Sequence, residues 1–265
     1  MYSAEDHTFV VCAYGNSPYL YDCVASLVSQ SVKSKIVIST STPNSQISKV
    51  ASKFGIMVLR NEGEPGIAHD WNCALSHAET PLVTIAHQDD TYDFQYVERM
   101  LSYCSLATRP LLFFSDYGEI RNEVLTDDTR MLRIKRLMLK PLKKRGGWSS
   151  IVLRRRIMSL GSPICCPSVT YYLPNLSWPV FHEGMRGGLD WDAWERLSKL
   201  EGDFIYAPEV LMHHRIHEES ETSALIKDDI RAKEDLEMFR RFWPLPIATF
   251  INWLYGLSLR SNRLD

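Results

Sequence analysis

The sequence predicts an α/β protein with a mostly parallel, Rossmann-like central sheet that has helices on both faces. Two observations lead to this prediction. Short apolar runs rich in Val and Ile recur through the first 116 residues, and such runs are typical of strands that are buried on both faces. Amphipathic stretches separate these runs, and neighbouring parallel strands need crossover segments of this kind, usually helices.

The predicted strands and helices alternate through the first half of the chain. Strands are predicted over residues 7–13, 35–40, 56–59, 81–86 and 111–115, and helices over residues 18–30, 44–54, 67–78 and 94–107. Pro18 lies near the start of the first helix, a position that proline favours. Parallel sheets bind ligands beyond the carboxyl ends of their strands, so we expect the functional site in the loops that follow these strands.

The second half of the chain has a weaker pattern. A helix is predicted over residues 189–200, a short strand over residues 204–206, and two C-terminal helices over residues 225–242 and 247–259. We therefore divide the chain into a first half (1–116), a second half (117–223) and a C-terminal helical extension (224–265).

The composition is that of an ordinary globular protein. Of its 265 residues 45% are hydrophobic and 23% charged, which excludes disordered, collagen-like and coiled-coil classes. The formal net charge is −2, so attraction of the whole molecule to nucleic acid is not expected. The six cysteines include no CxxC pair, and the N-terminus has no signal-peptide pattern. We expect reduced thiols and a cytoplasmic protein.

One segment of the second half is strongly basic. Residues 130–156 contain eleven Lys and Arg and no Asp or Glu, and apolar residues are interleaved with them. Helices that lie on anionic membrane surfaces have this pattern, although a solvated basic face remains an alternative. The apolar stretch over residues 242–259 is broken by Pro244, Pro246 and Asn252. We therefore expect peripheral attachment to the inner face of a membrane and no spanning helix.

Two acidic sites carry the predicted chemistry. Asp89 and Asp90 directly follow a predicted strand, where Mg or Mn would offset their repulsion and leave positions for phosphate oxygens. Asp190 and Asp192 begin a predicted helix, where a carboxylate can cap the helix or act as a base. A metal-held leaving group and a separate base are the two parts that displacement at a sugar-phosphate carbon needs. Turn formation and helix capping remain the alternatives at this stage.

A histidine-rich segment follows the predicted strand at 204–206. His213, His214, Arg215 and His217 are predicted to lie in a polar loop that continues to Ser220. Such residues can contact diphosphate oxygens or a metal, while a purely structural role is the alternative. We assign His217 to the metal, and we assign Arg215 and Ser220 to the donor.

Six segments in this order resemble the family 2 inverting glycosyltransferases with the GT-A fold. They are FVVCAYGNSPYLYDCVASLVSQ, KIVISTSTPN, GIAHDWNCAL, HQDD, LDWDAWERL and HHRIHEESET. The resemblance covers residues 7–223. It implies a nucleotide-sugar-binding half over residues 1–116 and an acceptor-binding half over residues 117–223. HQDD stands for the DxD motif of the family, and LDWD stands for its acidic ED motif.

The resemblance also implies roles for individual residues. Asp190 is the catalytic base, and Asp89 binds the divalent cation, Mn or Mg. The residues implied to contact the donor, beside Arg215 and Ser220, are Ala13, Tyr14, Asn16, Thr40, Asp70, Asn72, Gln88 and Asp90. The sequence departs from the family at His87, Leu189 and Thr40, where acids are usual. The nucleotide base is therefore not predicted.

These observations predict an inverting glycosyltransferase of bacterial-type surface polysaccharide or glycolipid assembly. The donor is a nucleotide-diphosphate sugar, and the acceptor is a carbohydrate or a lipid-linked oligosaccharide. A sugar-phosphate nucleotidyltransferase is one alternative, but its phosphate loop should be basic, and AYGNSPY has no basic residue. A non-catalytic membrane-surface module is the other; it would explain the basic segment and leave the acidic sites without a role.

Overall fold

The computed structural model describes residues 1–217 and 230–260, and in this part of the chain nine strands form a single sheet. The strands are β1 (His7–Cys12), β2 (Lys35–Thr40), β3 (Met57–Arg60), β4 (Leu82–His87), β5 (Thr91–Tyr92), β6 (Pro110–Arg121), β7 (Val124–Thr126), β8 (Val169–Tyr172) and β9 (Asp203–Ile216). Their order is β3-β2-β1-β4-β8-β6-β9-β5, and β7 pairs with β6.

Nine α-helices accompany the sheet within the same described ranges. They are α1 (Leu20–Val28), α2 (Ser45–Phe54), α3 (Ile67–Ser76), α4 (Tyr96–Cys104), α5 (Arg130–Leu139), α6 (Ile151–Met158), α7 (Leu189–Leu197), α8 (Ile230–Arg240) and α9 (Leu245–Arg260). Local signals explain several boundaries. Asn44, for example, caps α2, because its side-chain oxygen accepts the N–H groups of Gln46 and Ile47.

The predicted α/β class and mostly parallel sheet are confirmed. Strands β1, β2, β3, β4, β6 and β9 run in one direction, and β5, β7 and β8 run in the other. Consecutive β1 residues Phe9, Val10 and Val11 are all fully buried. Because neighbouring side chains of a strand point to opposite faces, the sheet must be covered on both sides.

The chain reverses its direction along the sheet between β1 and β4. The segments from β1 to β3 move one way, and the crossover through α3 returns to the other side of β1. Right-handed crossovers therefore place α3 on the face opposite α1 and α2. Ligands of such sheets bind in the crevice at this reversal, which lies between the ends of β1 and β4.

The histidine-rich segment differs from its prediction, because most of it lies in a strand. Strand β9 extends over 14 residues and includes His213, His214 and Arg215. Its long pairing with β6 contains register shifts around Asp116. Opposite His213 stands Gly118, where an added Cβ would lie 2.5 Å from the histidine ring. The absence of a side chain at Gly118 therefore leaves room for the His213 ring next to β6.

The basic segment is partly exposed and partly turned toward the rest of the chain. Four of its eleven basic residues are buried or half-buried and contact other parts of the chain. They are Lys135, Arg136, Arg154 and Arg155. Arg154 is fully buried and donates to the carbonyls of Leu200 and Gly202 at 2.7 and 2.6 Å. These cations hold the second half of the chain together.

Other predictions have simpler outcomes. All six cysteines are free. Among the helices in the described ranges, none combines the length and apolar character needed to cross a bilayer. The division at residue 116 stays a prediction, and that residue lies inside β6.

Candidate active site

Several of the residues predicted for the site follow the ends of β1 and β4, which border the crevice. Cys12, the last residue of β1, is in register with His87, the last residue of β4. The segment from Gln88 to Asp90 therefore leaves the sheet beside the loop that begins at Ala13. The side-chain amide of Gln88 joins the two loops, because it accepts the N–H of Tyr14 at 3.1 Å and donates to its carbonyl at 3.0 Å.

Asp90 is fully buried beneath β9. Its Oδ1 accepts the backbone N–H of Arg215 at 2.9 Å and lies 3.0 Å from His214 Nδ1. Burial alone would raise the pKa of the Asp90 carboxyl, but the charge and hydrogen bond of His214 outweigh burial and lower it. Burial alone would lower the pKa of His214, and Asp90 raises it instead. An ion pair between the buried Asp90 and the half-buried His214 therefore ties the turn after β4 to β9.

Asp89 stands next to this pair and is partly exposed to the crevice. Its Oδ2 lies 3.0 Å from His217 Nε2, and its Oδ1 lies 3.4 Å from the hydroxyl of Ser17. The structure thus brings together the two residues that the sequence assigned to the metal.

The chemistry of these side chains fits a divalent cation. Over residues 1–217 and 230–260, no three His, Cys, Asp or Glu side chains form a complete ligand set. Mg and Mn are nevertheless often held by one or two protein ligands together with substrate phosphates. The carboxylate of Asp89 and the imidazole of His217 supply ligands of that kind. The pair is suited to a cation that binds jointly with a diphosphate.

The guanidinium of Arg215 is engaged with the protein. It is 4% exposed and lies 4.2 Å from the centre of the Tyr19 ring. Its Nη1 donates to both carboxylate oxygens of Glu123 at 2.8 Å, and its Nε donates to the carbonyl of Asp89 at 3.0 Å. Arg215 therefore orients the turn that carries Asp89.

The other predicted donor residues border the ends of β1, β2 and α3. Ala13 and Thr40 are buried, whereas Tyr14 and Asn16 are exposed. Asp70 accepts hydrogen bonds from Ser41 at 3.0 Å and from Asn61 at 2.8 Å.

Asn72, another predicted donor residue, has different surroundings from these. Asn72 bonds the backbone of Val180 and Phe181 with both its amide groups, at 2.7 to 3.1 Å, so its side chain anchors the segment before α7. Ser220 lies outside the described residues.

Asp190 lies in the first turn of α7 and is half-buried. Its Oδ1 accepts the N–H of Trp191 at 2.8 Å. Burial raises the pKa of the Asp190 carboxyl, and the nearby charge of Arg231 counteracts part of that rise. Asp192 has a structural role instead, because it is buried and pairs with Arg196 and Arg241 at 2.9 and 2.5 Å.

The charges of the two acidic sites act on the same two half-buried side chains, His87 and Cys165. Burial lowers the pKa of His87, while the charges of Asp90, Asp89 and Asp190 each oppose that effect. Burial raises the pKa of Cys165, and Asp90 and Asp190 add to the rise. Coulombic effects of this kind act over short distances. The turn after β4 and the start of α7 therefore both lie near His87 and Cys165.

Two cations near Asp190, Lys135 and Arg231, are not predicted from the sequence. Lys135 donates to the Tyr117 hydroxyl at 2.9 Å, and its charge reaches both Asp190 and His214. Its neighbours Leu132 and Leu139 are buried, so helical spacing from these leucines would have indicated the inward face. Arg231 of α8 has no comparable local signal, because its contacts with the loop before α7 are long-range.

Comparisons with known proteins agree with this architecture. Residues 8–108 match the model of glycosyl transferase family 2. Residues 1–349 of S. aureus TarS, solved with UDP-GlcNAc, superpose with a TM-score of 0.63 at 14% identity over 93% of this chain and 70% of that one. Mannosyltransferase PcManGT from Pyrobaculum calidifontis, solved with GDP-Man and Mn2+, gives a TM-score of 0.63 at 13% identity over 100% and 77% of the two chains.

A search of curated protein sequences found no match. At identities of 14% and 13%, the solved structures establish the fold alone. The sequence-based match is independent of them and covers the half of the sheet that contains β1 to β4. This chain therefore has the fold of these GT-A proteins, and its residues 8–108 match the model of glycosyl transferase family 2.

Proposed function

We propose that this protein is an inverting glycosyltransferase that moves a sugar from a nucleotide-diphosphate donor to an acceptor hydroxyl. The observation that carries the proposal is that the acidic turn after β4 and Asp190 of α7 both act on His87 and Cys165. We take these groups to face one cleft, with Asp89 and His217 on the donor side and Asp190 on the acceptor side. A single displacement needs a leaving-group site and a base that act on one sugar carbon from opposite sides.

The donor half of the cleft supports binding of the diphosphate. Asp89 and His217 would hold Mn or Mg, and Arg215 keeps the turn of Asp89 in place through the carbonyl contact at 3.0 Å. When bound, such a cation offsets the negative charge that develops on the departing diphosphate. The mannosyltransferase and TarS structures contain nucleotide sugars, and the former contains Mn2+, which supports a donor of this class.

The acceptor half supports general base catalysis by Asp190. Its raised pKa makes the carboxylate a better proton acceptor than a solvated aspartate. Asp190 takes the proton of the acceptor hydroxyl as the acceptor oxygen bonds to the anomeric carbon. The bond from that carbon to the diphosphate oxygen breaks at the same time, and its electron pair leaves with the diphosphate. Attack from the opposite side inverts the configuration.

The test is a donor screen followed by analysis of the product. The protein is incubated with UDP-, GDP-, TDP- and CDP-sugars, with and without Mn2+, and release of nucleoside diphosphate is measured. We expect release from one donor class only when Mn2+ is present, and NMR of the released or transferred sugar should show inversion. Retention of configuration, or no release from any donor, would contradict the proposal.

We further propose that the protein works at the inner face of a membrane, on a lipid-linked acceptor. Helix α9 supports this proposal, because it exposes a row of large apolar side chains. They are Leu245, Ile247, Phe250, Trp253 and Leu254. The basic segment contributes Lys140, Lys143, Lys144 and Arg145, which are exposed. Anionic headgroups attract such cations.

A further inference from the structure

The loop that leads into α7 is held by a carboxylate from another part of the chain. Glu234 of α8 accepts the backbone N–H groups of Arg186, Gly187 and Gly188 at 2.8, 2.7 and 2.8 Å. Successive N–H groups that converge in this way form an anion-binding concavity. Here the anion is a side chain of the C-terminal extension, about 46 positions away.

A second residue of α8 binds a backbone carbonyl of the same loop. Arg231 donates a hydrogen bond to the carbonyl of Gly187. Its Nε lies 3.1 Å from Asp235, which is buried, so the arginine is itself fixed. One helical turn therefore holds both the N–H and the C=O groups of the loop.

The helix that supplies these contacts is firmly seated beside Asp190. Phe239 of α8 is fully buried and packs edge-to-face on Trp191, with ring centroids 4.9 Å apart. Trp191 directly follows Asp190, and its indole N–H donates to the carbonyl of Met158 at 3.0 Å. The residue after Asp190 is thus fixed by packing, and the residues before it are fixed by Glu234.

The loop needs such a restraint because of its composition. The loop has much conformational freedom because it contains Gly184, Gly187 and Gly188. Gly188 directly precedes α7 as its N-cap residue and has no side chain that could cap the helix. A catalytic group that is displaced by about 1 Å can lose about 100-fold in rate. Order in this loop therefore bears directly on where the Asp190 carboxylate lies.

We propose that Glu234 is a positioning residue that holds the 186–188 backbone and thereby aims Asp190 into the cleft. This inference rests on the proposed function, because it takes Asp190 as the base. It assigns the C-terminal helical extension a part in turnover that does not involve contact with either substrate.

The experiment compares Glu234→Ala and Glu234→Gln with a matched control on the same helix, Glu237→Ala. Glu237 is exposed, and its carboxylate lies 3.7 Å from Arg241, away from the loop. Hydrolysis of UDP-GlcNAc and GDP-mannose with Mn2+ is followed for the donor that the wild type cleaves. We expect Glu234→Ala to lower kcat by about 10- to 100-fold and to leave the donor KM within about twofold. Glu234→Gln keeps one acceptor oxygen, so its kcat should fall less than that of Glu234→Ala. The kcat of Glu237→Ala should equal that of the wild type.

Amide hydrogen exchange provides a readout that does not depend on activity. In folded Glu234→Ala, exchange of the amides of residues 186–188 should accelerate, while exchange in the central strands stays unchanged. Unchanged exchange in this loop would overturn the contact. Faster exchange with unchanged kcat would overturn the positioning role, and so would a rise in KM that accounts for the whole loss.

The result can be separated from failure of the proposed function. If Asp190→Asn abolishes hydrolysis and Glu234→Ala does not change kcat, only the positioning role is wrong. If Asp190→Asn hydrolyses the donor at the wild-type rate, the assignment of the base is wrong, whatever the loop amides show.

Discussion

At the scale of single residues, Asp190 is the group on which the proposed reaction depends most. Asp190→Asn keeps the size of the side chain and removes its ability to take a proton. Because general base catalysis contributes about 100- to 10,000-fold, we expect kcat to fall by that factor. Donor affinity, measured by calorimetry with Mn2+ present, should stay near the wild-type value, because the proposed mechanism assigns Asp190 to the acceptor and not to the donor.

The control for that prediction is Asp192→Asn, two positions along the same helix. Asp192 pairs with Arg196 and Arg241 and faces the core, so its replacement should lower thermal stability more than it lowers kcat. Wild-type turnover in Asp190→Asn would exclude Asp190 as the base.

His217 allows the metal assignment to be tested at one side chain. Its Nε2 lies 3.0 Å from Asp89 Oδ2. We expect His217→Ala to weaken Mn2+ binding in the presence of UDP by at least about tenfold, since even the partners of metal ligands contribute 10- to 100-fold. His213→Ala is the matched control, because His213 pairs with Asp127 at 2.8 Å. Equal Mn2+ dependence in both variants would remove His217 from the metal site.

His7 makes the stability of the fold depend on pH. It is fully buried between the hydroxyls of Ser34 and Thr84, at 3.0 and 2.8 Å. Burial lowers its pKa from 6.5 to about 3. The unfolded chain therefore takes up a proton near pH 6.5 while the folded chain resists it, so stability is full above that pH and is lost as the pH falls toward 3. The loss attributable to His7 reaches up to about 5 kcal/mol.

Denaturant titrations between pH 7 and pH 3.5 would measure this effect against His7→Gln. The variant cannot titrate at this position, so its free energy of unfolding should decline less steeply below pH 6.5 than that of the wild type. Parallel curves for the two proteins would show that His7 does not carry the pH dependence.

At the scale of secondary-structure elements, α9 carries the prediction about membranes. Phe250 and Trp253 are each 59% exposed. Replacing both with Ser should lower partition into anionic liposomes by at least about tenfold, because each buried aromatic side chain contributes about 1.5 to 3 kcal/mol. Thr249→Ala, an exposed polar position on the same helix, should bind like the wild type. Equal partition of the wild type into neutral and anionic liposomes would argue against a role for the basic segment.

The elements of the first half are those that local pattern predicts best. Strands β1 to β4 and helices α1 to α4 lie within a few residues of their predicted positions, because each has its own apolar periodicity and turn signals. Strand β8 was missed. It has four residues and follows Pro167, and its place between β4 and β6 depends on pairing with both.

At the scale of the whole molecule, the donor is expected to stabilise the fold together with the metal. A ligand that binds only the folded state at about 100 times its Kd adds about 2.7 kcal/mol, or roughly 5 to 10 °C in Tm for a chain of this size. We expect this shift for the matching nucleoside diphosphate with Mn2+, and a smaller one without Mn2+. An identical shift in Asp89→Asn would contradict the role of Asp89.

The sequence predicts which residue types belong to the candidate site. It does not predict the side-chain contacts that hold them in place. Asp89, Asp190 and His217 stand out in the sequence because carboxylates and imidazole follow predicted strands or begin a helix. No local sequence pattern predicts that Arg215 bonds Glu123 or that Asn72 bonds Phe181. The sequence predicts both side chains as donor contacts, and in the structure both hold loops.

By itself, the sequence determined the class of the fold, the alternation of its first half and the residue types that can carry the reaction. These properties reside in short windows, where periodicity and capping act between near neighbours. Only the tertiary structure decided that His214 pairs with Asp90 from 124 positions away, that Lys135 and Arg154 turn inward, and that Glu234 holds the loop before Asp190. Such contacts form between segments that meet only after the sheet has assembled, so no local pattern specifies them.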